Sequence, residues 1–268
     1  MLKTLFVICL LLVPWAFFAQ NATSYFEKYA INGAWHGEKI NIWNAMLAGE
    51  EGMTIERADA IDEKMKVFWA KIHKIHQKDI SESKKIRKIY QEISTTFFRT
   101  YSNFSSLADL IEKGEFDCLT ATMLYVYVFD SLGYECQAFE MPNHVYLSIR
   151  LSNGKEWLIE PTLLKDGLHT TAVQIESLRK HYQNEVIRFQ TLVENEFLKS
   201  KFRNSIHNPI GLNQLVGLQF YNRALKHFNE QDYKAALREL MKANQLYHCE
   251  RHEVMIELTA LCLKNTRV

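Results

Sequence analysis

The chain has 268 residues, a formal net charge of +1 and 47% hydrophobic residues, with only ten glycines and four prolines. Near-neutrality excludes a basic face for capturing a polyanion, so nucleic acid is not an expected partner. The apolar content and the scarcity of Gly and Pro exclude a disordered or fibrous chain and point to an ordered, helix-leaning globular protein. At the start, Lys3 precedes an apolar run from Leu5 to Val13, then Pro14, Trp15 and Ala16-Phe17-Phe18-Ala19-Gln20. A short basic start and an apolar stretch too short to span a bilayer predict a secretory signal peptide over residues 1–19, hence a secreted or periplasmic protein beginning near Gln20. The alternative is a membrane anchor, because Phe17 suits a cleavage site poorly. Cys9 lies inside the apolar run, not after small residues at its end, so lipid attachment is not expected. No later run is long and apolar enough to predict a span after signal removal. About 250 residues remain, enough for one medium domain with a small appendage.

From Thr23 to about Leu110 the pattern is helical. Ile61, Met65, Phe68 and Trp69 share one face of a run beginning at Ile55, and Ile86, Ile89, Tyr90, Ile93 and Phe97 share another. Ser106 to Lys113 reads as a short helix stopped by Gly114. His73 and His76 have a ligand-like spacing, but Lys71, Lys74 and Lys78 surround them, so a solvated helix face is expected and not a metal site.

Asp117 to Leu132 predicts a further helix, with Asp117 as N-cap and Gly133 as stop. Cys118 then sits in the first turn, where unpaired N–H groups and the positive end of the helix dipole favour a thiolate and can hold an oxyanion. The Asp117 charge opposes the first effect slightly. A cysteine opening an apolar helix can equally be plain packing. Tyr134 to Met141 predicts a strand. After Pro142-Asn143, Val145, Leu147, Ile149 and Leu151 alternate with His144, Tyr146, Ser148 and Arg150, the period of a half-buried strand.

Ser152-Asn153-Gly154 then joins this strand to Glu156–Glu160. A two-residue turn at Asn153-Gly154 would set Arg150 against Trp157 and put Glu160 on the face opposite His144. A three-residue loop with Gly154 left-handed pairs Arg150 with Glu156, Ile149 with Trp157 and Leu147 with Ile159, giving one continuous apolar face. The hydrophobic pattern selects the second register. It sets Glu160 diagonal to His144 on one face, about 7–8 Å apart at Cα, within reach of a carboxylate and an imidazole.

Gly114-x-x-Asp117-Cys118-Leu-Thr-Ala-Thr, Leu132-Gly-Tyr, His144-Val-Tyr-Leu and Trp157-Leu-Ile-Glu160-Pro-Thr together resemble the transglutaminase-like, papain-type cysteine superfamily, in its bacterial branch with a C-terminal tetratricopeptide-like region. The resemblance covers about Ser106 to Gly167. It implies an α+β thiol domain, a Cys-bearing helix packed on an antiparallel sheet, with a helical part before it. By analogy Cys118 is the nucleophile, His144 the base and Glu160 the group that orients the base, where the family usually has aspartate. The implied chemistry is acyl transfer from an amide of a protein or peptide through a thioester. Water would make the enzyme a peptidase or deamidase; a lysine amine would make a cross-link. No cofactor or metal is implied. The upstream oxyanion donor has no clear match; Tyr101 and Tyr125 are candidates. A rival expectation is an inactive scaffold of the same fold that binds a protein partner through its tail.

Thr170 to Leu215 is mixed and polar, with a loop at Asn208-Pro209 and Gly211. Beyond it, Phe220 to Ala243 reads as two helices around a turn at Asn229–Asp232, with Ala224, Ala236 and Ala243 allowing close approach, and Arg251 to Lys264 as a third. This resembles a tetratricopeptide repeat, and one repeat and a half must dock on the main body or extend its surface. His248, Cys249 and His252 look ligand-like, but their crowded spacing argues coincidence. Cys249 and Cys262 are expected as packed thiols, with a disulfide as the alternative. The expected organisation is residues 1–19 signal peptide, 20–105 helical N-terminal part, 106–210 thiol core, and 217–268 a helical region contributing recognition or stability but no catalytic group.

Overall fold

The computed structural model describes residues 25–192 and 207–266; the expected signal peptide and Gln20 lie outside the described residues. The fold is α+β, with helices at both ends of a five-stranded antiparallel sheet. Among the described residues the N-terminal part holds α1 Tyr25–Trp35, α2 Ile42–Leu47, α3 Ile55–His76, α4 Glu82–Phe97 and, after a short strand, α5 Leu107–Lys113. Their limits follow the residues at their ends. Thr54 accepts a hydrogen bond from the Arg57 N–H to open α3, and Ser106 and Asp109 cap α5 reciprocally. Gly114, at φ 79°, closes α5 in the left-handed conformation that glycine tolerates. The apolar stripes of α3 and α4 bury Ile61, Met65 and Phe68 against Ile89, Ile93 and Phe97 in the main core.

A two-stranded parallel pair, β1 Thr100–Tyr101 and β2 Glu115–Phe116, leads into α6 Cys118–Ser131. The main sheet comprises β3 Glu135–Met141, β4 His144–Arg150, β5 Glu156–Ile159, β6 Leu168–His169 and β7 Asn208–Ile210, in the order β6-β5-β4-β3-β7. In the β4–β5 hairpin Leu147 faces Ile159, Ile149 faces Trp157 and Arg150 faces Glu156, with Gly154 at φ 78°. This is the register expected from the three-residue loop. Val145, Leu147, Ile149 and Ile159 bury one face against α6, and the Thr122 hydroxyl donates to the Val145 carbonyl at 3.1 Å.

Two segments differ from expectation. The polar stretch after Thr170 contains a long helix, α7 Ala172–Leu192, and it covers the second face of the sheet. Ile175, Leu178 and Tyr182 pack on Met141, Tyr146 and Leu158. β4 is therefore buried on both faces, not half-buried. Among its described side chains the buried stripe on α7 is one residue wide, too narrow to stand out among its polar neighbours. Asn208-Pro209-Ile210 is a strand, not a loop. It occupies the sheet edge, where a proline without an N–H is tolerated.

The C-terminal region forms α8 Leu212–Asn229, α9 Tyr233–Leu246 and α10 Glu250–Asn265. The turn falls at the expected place, and Ala224, Ala236 and Ala243 are buried. The region docks on the main body, with α8 against α6 and α2. A Cβ on Gly217 would come within 2.7 Å of the Tyr247 Cβ, so α8 passes close to the residue that ends α9. Two buried ion groups seal the junction. Arg223 on α8 meets Glu239 on α9 and Glu27 on α1, and Lys242 meets the same two carboxylates. Arg223 also donates to the carbonyls of Ala48 and Gly49, at 3.3 and 3.2 Å. Arg251 and the Tyr247 hydroxyl reach Glu140 on β3, at 2.6 and 2.7 Å. Removing one member of a buried ion group leaves its partners undercompensated. Arg223→Ala should therefore lower the unfolding free energy by about 3–5 kcal/mol, measured by urea denaturation of the full chain.

Candidate active site

The site is assembled where the start of α6 meets the ends of β4 and β5. Asp117 is the N-cap: its carboxylate accepts from the Thr120 N–H at 2.8 Å, and Thr120 returns a bond to the Asp117 N–H at 3.1 Å. The N–H groups of Leu119 and Phe104 also point to this carboxylate, although burial dominates and raises its pKa. Phe104 has φ 61°, an uncommon conformation for an aromatic residue, and its bond to Asp117 holds the loop before α5 in place. Cys118 is therefore the first residue of a capped helix, half-buried and not disulfide-bonded.

His144 opens β4. Its Nε2 lies 2.7 Å from Glu160 Oε2. With that nitrogen committed to Glu160, Nδ1 is the one left for the thiol. Burial works to lower the imidazole pKa, but the Cys118 sulfur and the Glu160 carboxylate outweigh it and hold it at about 10, above its usual 6.5. The three residues selected from the sequence thus converge on one imidazole.

Glu160 follows the last residue of β5 and is 4% exposed. Its Oε1 accepts from the Thr162 N–H at 3.0 Å and the Thr162 hydroxyl at 2.5 Å. Its Oε2 takes His144 and the Tyr182 hydroxyl. Burial would raise the carboxyl pKa; His144 first, then Thr162 and Tyr182, hold it below the usual range. The loop after Glu160 is closed by the Glu160 N–H donating to the Gly167 carbonyl at 2.8 Å. A Cβ at Gly167 would lie 2.2 Å from the Glu160 carbonyl oxygen, so only glycine fits there.

Tyr182 and Thr162 are functional candidates to which the sequence assigned no role. Thr162 belongs to the quoted Glu160-Pro-Thr motif, which was a usable signal. Tyr182 carries none: it lies on α7, stacks on Tyr146 with ring centroids 4.8 Å apart, and its hydroxyl is 3.2 Å from His144 Nε2. Of the two oxyanion candidates, Tyr101 lies beside Phe116, half exposed, its pKa pushed up to about 12 by burial and by the nearby Cys118. Tyr125 is fully buried, stacked on Tyr90 at 5.5 Å and edge-on to Phe98, and cannot face a substrate.

The other thiols are placed apart. Cys136 on β3 donates to the Val126 carbonyl at 3.7 Å, and burial pushes its pKa to about 12. Cys249 and Cys262 are unpaired thiols, so the disulfide alternative is not formed. His73 is exposed and stacks on Trp69, and His76 bonds the Tyr134 hydroxyl at 3.3 Å. His248 is exposed beside Glu253, while His252 is fully buried against Tyr221 and Tyr247.

A cleft of about 1150 Å³ opens beside His144, between the Pro142-Asn143 turn, the Thr162–Asp166 loop and α7. Among the described residues, no helix is long and apolar enough to cross a membrane. Comparison of the chain with family models, with curated proteins and with solved structures returned no match.

The Tyr182 hydroxyl contributes by bonding a charged acceptor. Because the Glu160 pKa is depressed on folding, that contribution is present above the ordinary carboxyl value near 4.5 and is lost as pH falls below it. Tyr182→Phe, which keeps the ring stacking, should cost about 1.5–3 kcal/mol at pH 7. Urea titrations at pH 7 and well below 4.5 should show the gap to wild type closing in acid.

Proposed function

We propose that this chain is a secreted or periplasmic thiol acyl-transfer enzyme of transglutaminase-like fold, acting on amide bonds of proteins or peptides. The single observation that carries the reading is the His144 imidazole, bonded at Nε2 to a buried carboxylate and raised by a thiol at the start of a helix. A buried, partnered base beside a helix-N-terminal cysteine is the arrangement that makes a nucleophile.

The roles follow from the contacts. The imidazolium faces Cys118, whose sulfur attacks the amide carbonyl carbon. A C–S bond forms and the carbonyl oxygen takes the charge. In this reading the N–H of Cys118 and the Tyr101 hydroxyl, a donor across the neutral range, receive that oxyanion. As the intermediate collapses, the C–N bond breaks and His144 gives its proton to the departing nitrogen. Water or an amine then attacks the thioester, His144 takes the incoming proton, and the thiolate leaves. Glu160 stays ionised throughout, fixing the ring and its tautomer.

Iodoacetamide labelling of wild type, Cys118→Ala, His144→Ala and Glu160→Gln tests the assignment, with peptide mapping of each product. Cys118 should label first, far ahead of the half-buried Cys136, whose thiol pKa is pushed up to about 12. His144→Ala should slow it by about tenfold or more near neutral pH, where an unassisted thiol is mostly protonated. Because His144 keeps its proton up to about pH 10, that difference should persist through the neutral range and close above it. Glu160→Gln should slow turnover yet retain labelling. Equal labelling of Cys118 and Cys136, or no effect of His144→Ala, would favour the inactive scaffold.

The compartment has its own test. N-terminal sequencing of protein from a secreted or periplasmic fraction should begin within a few residues of Gln20. Intact Met1 in a membrane pellet would replace the signal peptide by an anchor.

A further inference from the structure

The cleft beside His144 has a shape and a charge that the triad itself does not need. Its volume, about 1150 Å³, exceeds the roughly 300–1,000 Å³ of small-ligand pockets, so it has room for several residues of a chain. Its walls are largely apolar, with Met141, Leu163, Val173 and Leu178 among them, and Leu163 and Val173 remain 47% and 80% exposed. Its described ionisable groups are weighted to one sign, three carboxylates against the His144 imidazolium, which Glu160 pairs. Among the described residues the lining contains Glu160, Asp166 and Glu185, three histidines and no lysine or arginine. Glu160 is spent on His144, Thr162 and Tyr182, whereas no ion pair engages Asp166 or Glu185 among the described residues. Of the α7 cations whose side chains are described, Arg179 pairs with Glu156 at 2.8 Å and Lys180 with Glu176 at 4.0 Å. Lys165 adjoins Asp166 in sequence but does not line the cleft. His169, at the rim, has its pKa lowered by burial and adds no positive charge at neutral pH.

The position of the cleft says which half of a substrate it receives. His144 forms part of its wall and Cys118 does not. In amide cleavage the acyl carbon sits on the sulfur, while the departing nitrogen must face the imidazole that protonates it. Whatever is attached to that nitrogen therefore extends past His144 and into the cleft.

We propose that this cleft binds the leaving-side segment of the substrate, and that the segment is a peptide with apolar stems ending in positive charge, lysine- or arginine-bearing. The proposal rests on the thiol acyl-transfer reading for which half of the substrate enters, but the cleft's preference for a basic peptide stands on its own lining. An ammonia leaving group would leave the cleft unused, so the assignment favours cleavage or exchange of a peptide-bearing amide over simple side-chain deamidation.

Binding tests this without relying on turnover. Fluorescein-labelled Ala-Leu-Lys-Leu-Lys-Ala and its counterparts with Glu or Ala in place of Lys would be titrated into full-length mature protein carrying Cys118→Ala, followed by anisotropy. The lysine peptide should bind about tenfold or more tightly than the alanine one, and the glutamate peptide most weakly. Asp166→Asn with Glu185→Gln should erase the ranking, and Asp166→Lys with Glu185→Lys should reverse it; circular dichroism verifies that each variant is folded. Equal binding of the three peptides, no binding of the lysine peptide, or a ranking unchanged in the folded variants would overturn the proposal. His144-independent labelling of Cys118 alongside a normal peptide ranking would instead sink the thiol-enzyme reading and leave the basic-peptide site standing.

Discussion

Glu160 is almost fully buried and still holds its charge, and an ion so placed must be surrounded by donors or take up a proton. Each of its oxygens is satisfied by a different part of the chain. Thr162 comes from the loop just after β5, His144 from the start of β4, and Tyr182 from α7. The last contact gives α7 a reason to lie where it does. The helix buries an apolar stripe on Tyr146 and Leu158 and delivers a hydroxyl to the carboxylate. The same helix sets the Tyr182 ring beside the imidazole, with centroids 5.4 Å apart.

The geometry at the other side of the imidazole depends on α6. A helix start leaves N–H groups unpaired, and here Asp117 takes some of them, together with the Phe104 N–H, while Cys118 occupies the first turn. The cap therefore does two things. It ends the preceding strand pair at a fixed place, and it ties the loop bearing Phe104 to the helix that bears the thiol. The parallel pairing of Tyr101 with Phe116 then brings a tyrosine hydroxyl to the same corner.

The C-terminal helices are part of this support. α8 lies against α6, and the Arg223–Glu27–Glu239–Lys242 group binds it to α1 and α9. Glu140, on the strand that turns into His144 through Pro142-Asn143, is held from the tail by Arg251 and Tyr247. These C-terminal helices thus brace the strand entering the site.

Much of this was legible in the chain itself. The residues that open and close α5 and α6, the alternation in β4 and the pairing of β4 with β5 are local or near-local, set by caps, by period and by the burial of one apolar face. Those rules sufficed to put His144 and Glu160 on one face and Cys118 at a helix start. What the chain did not disclose was everything settled by distant partners. The polar look of residues 172–192 hid a helix whose stripe of Ile175, Leu178 and Tyr182 has meaning only against a sheet face already built by β3–β5. Tyr182 gives no sign in sequence of reaching Glu160, 22 residues earlier, and Pro209 reads as a loop until an unoccupied sheet edge makes it a strand. Tyr101 and Tyr125 were equal candidates by residue type, and only packing separates them, one beside the thiol and one enclosed among aromatic rings. Local propensity and period act over a few residues, whereas desolvation and hydrogen-bond satisfaction depend on whatever the fold brings near, so the helices and hairpin were determined by sequence and the enclosure of the site by tertiary structure.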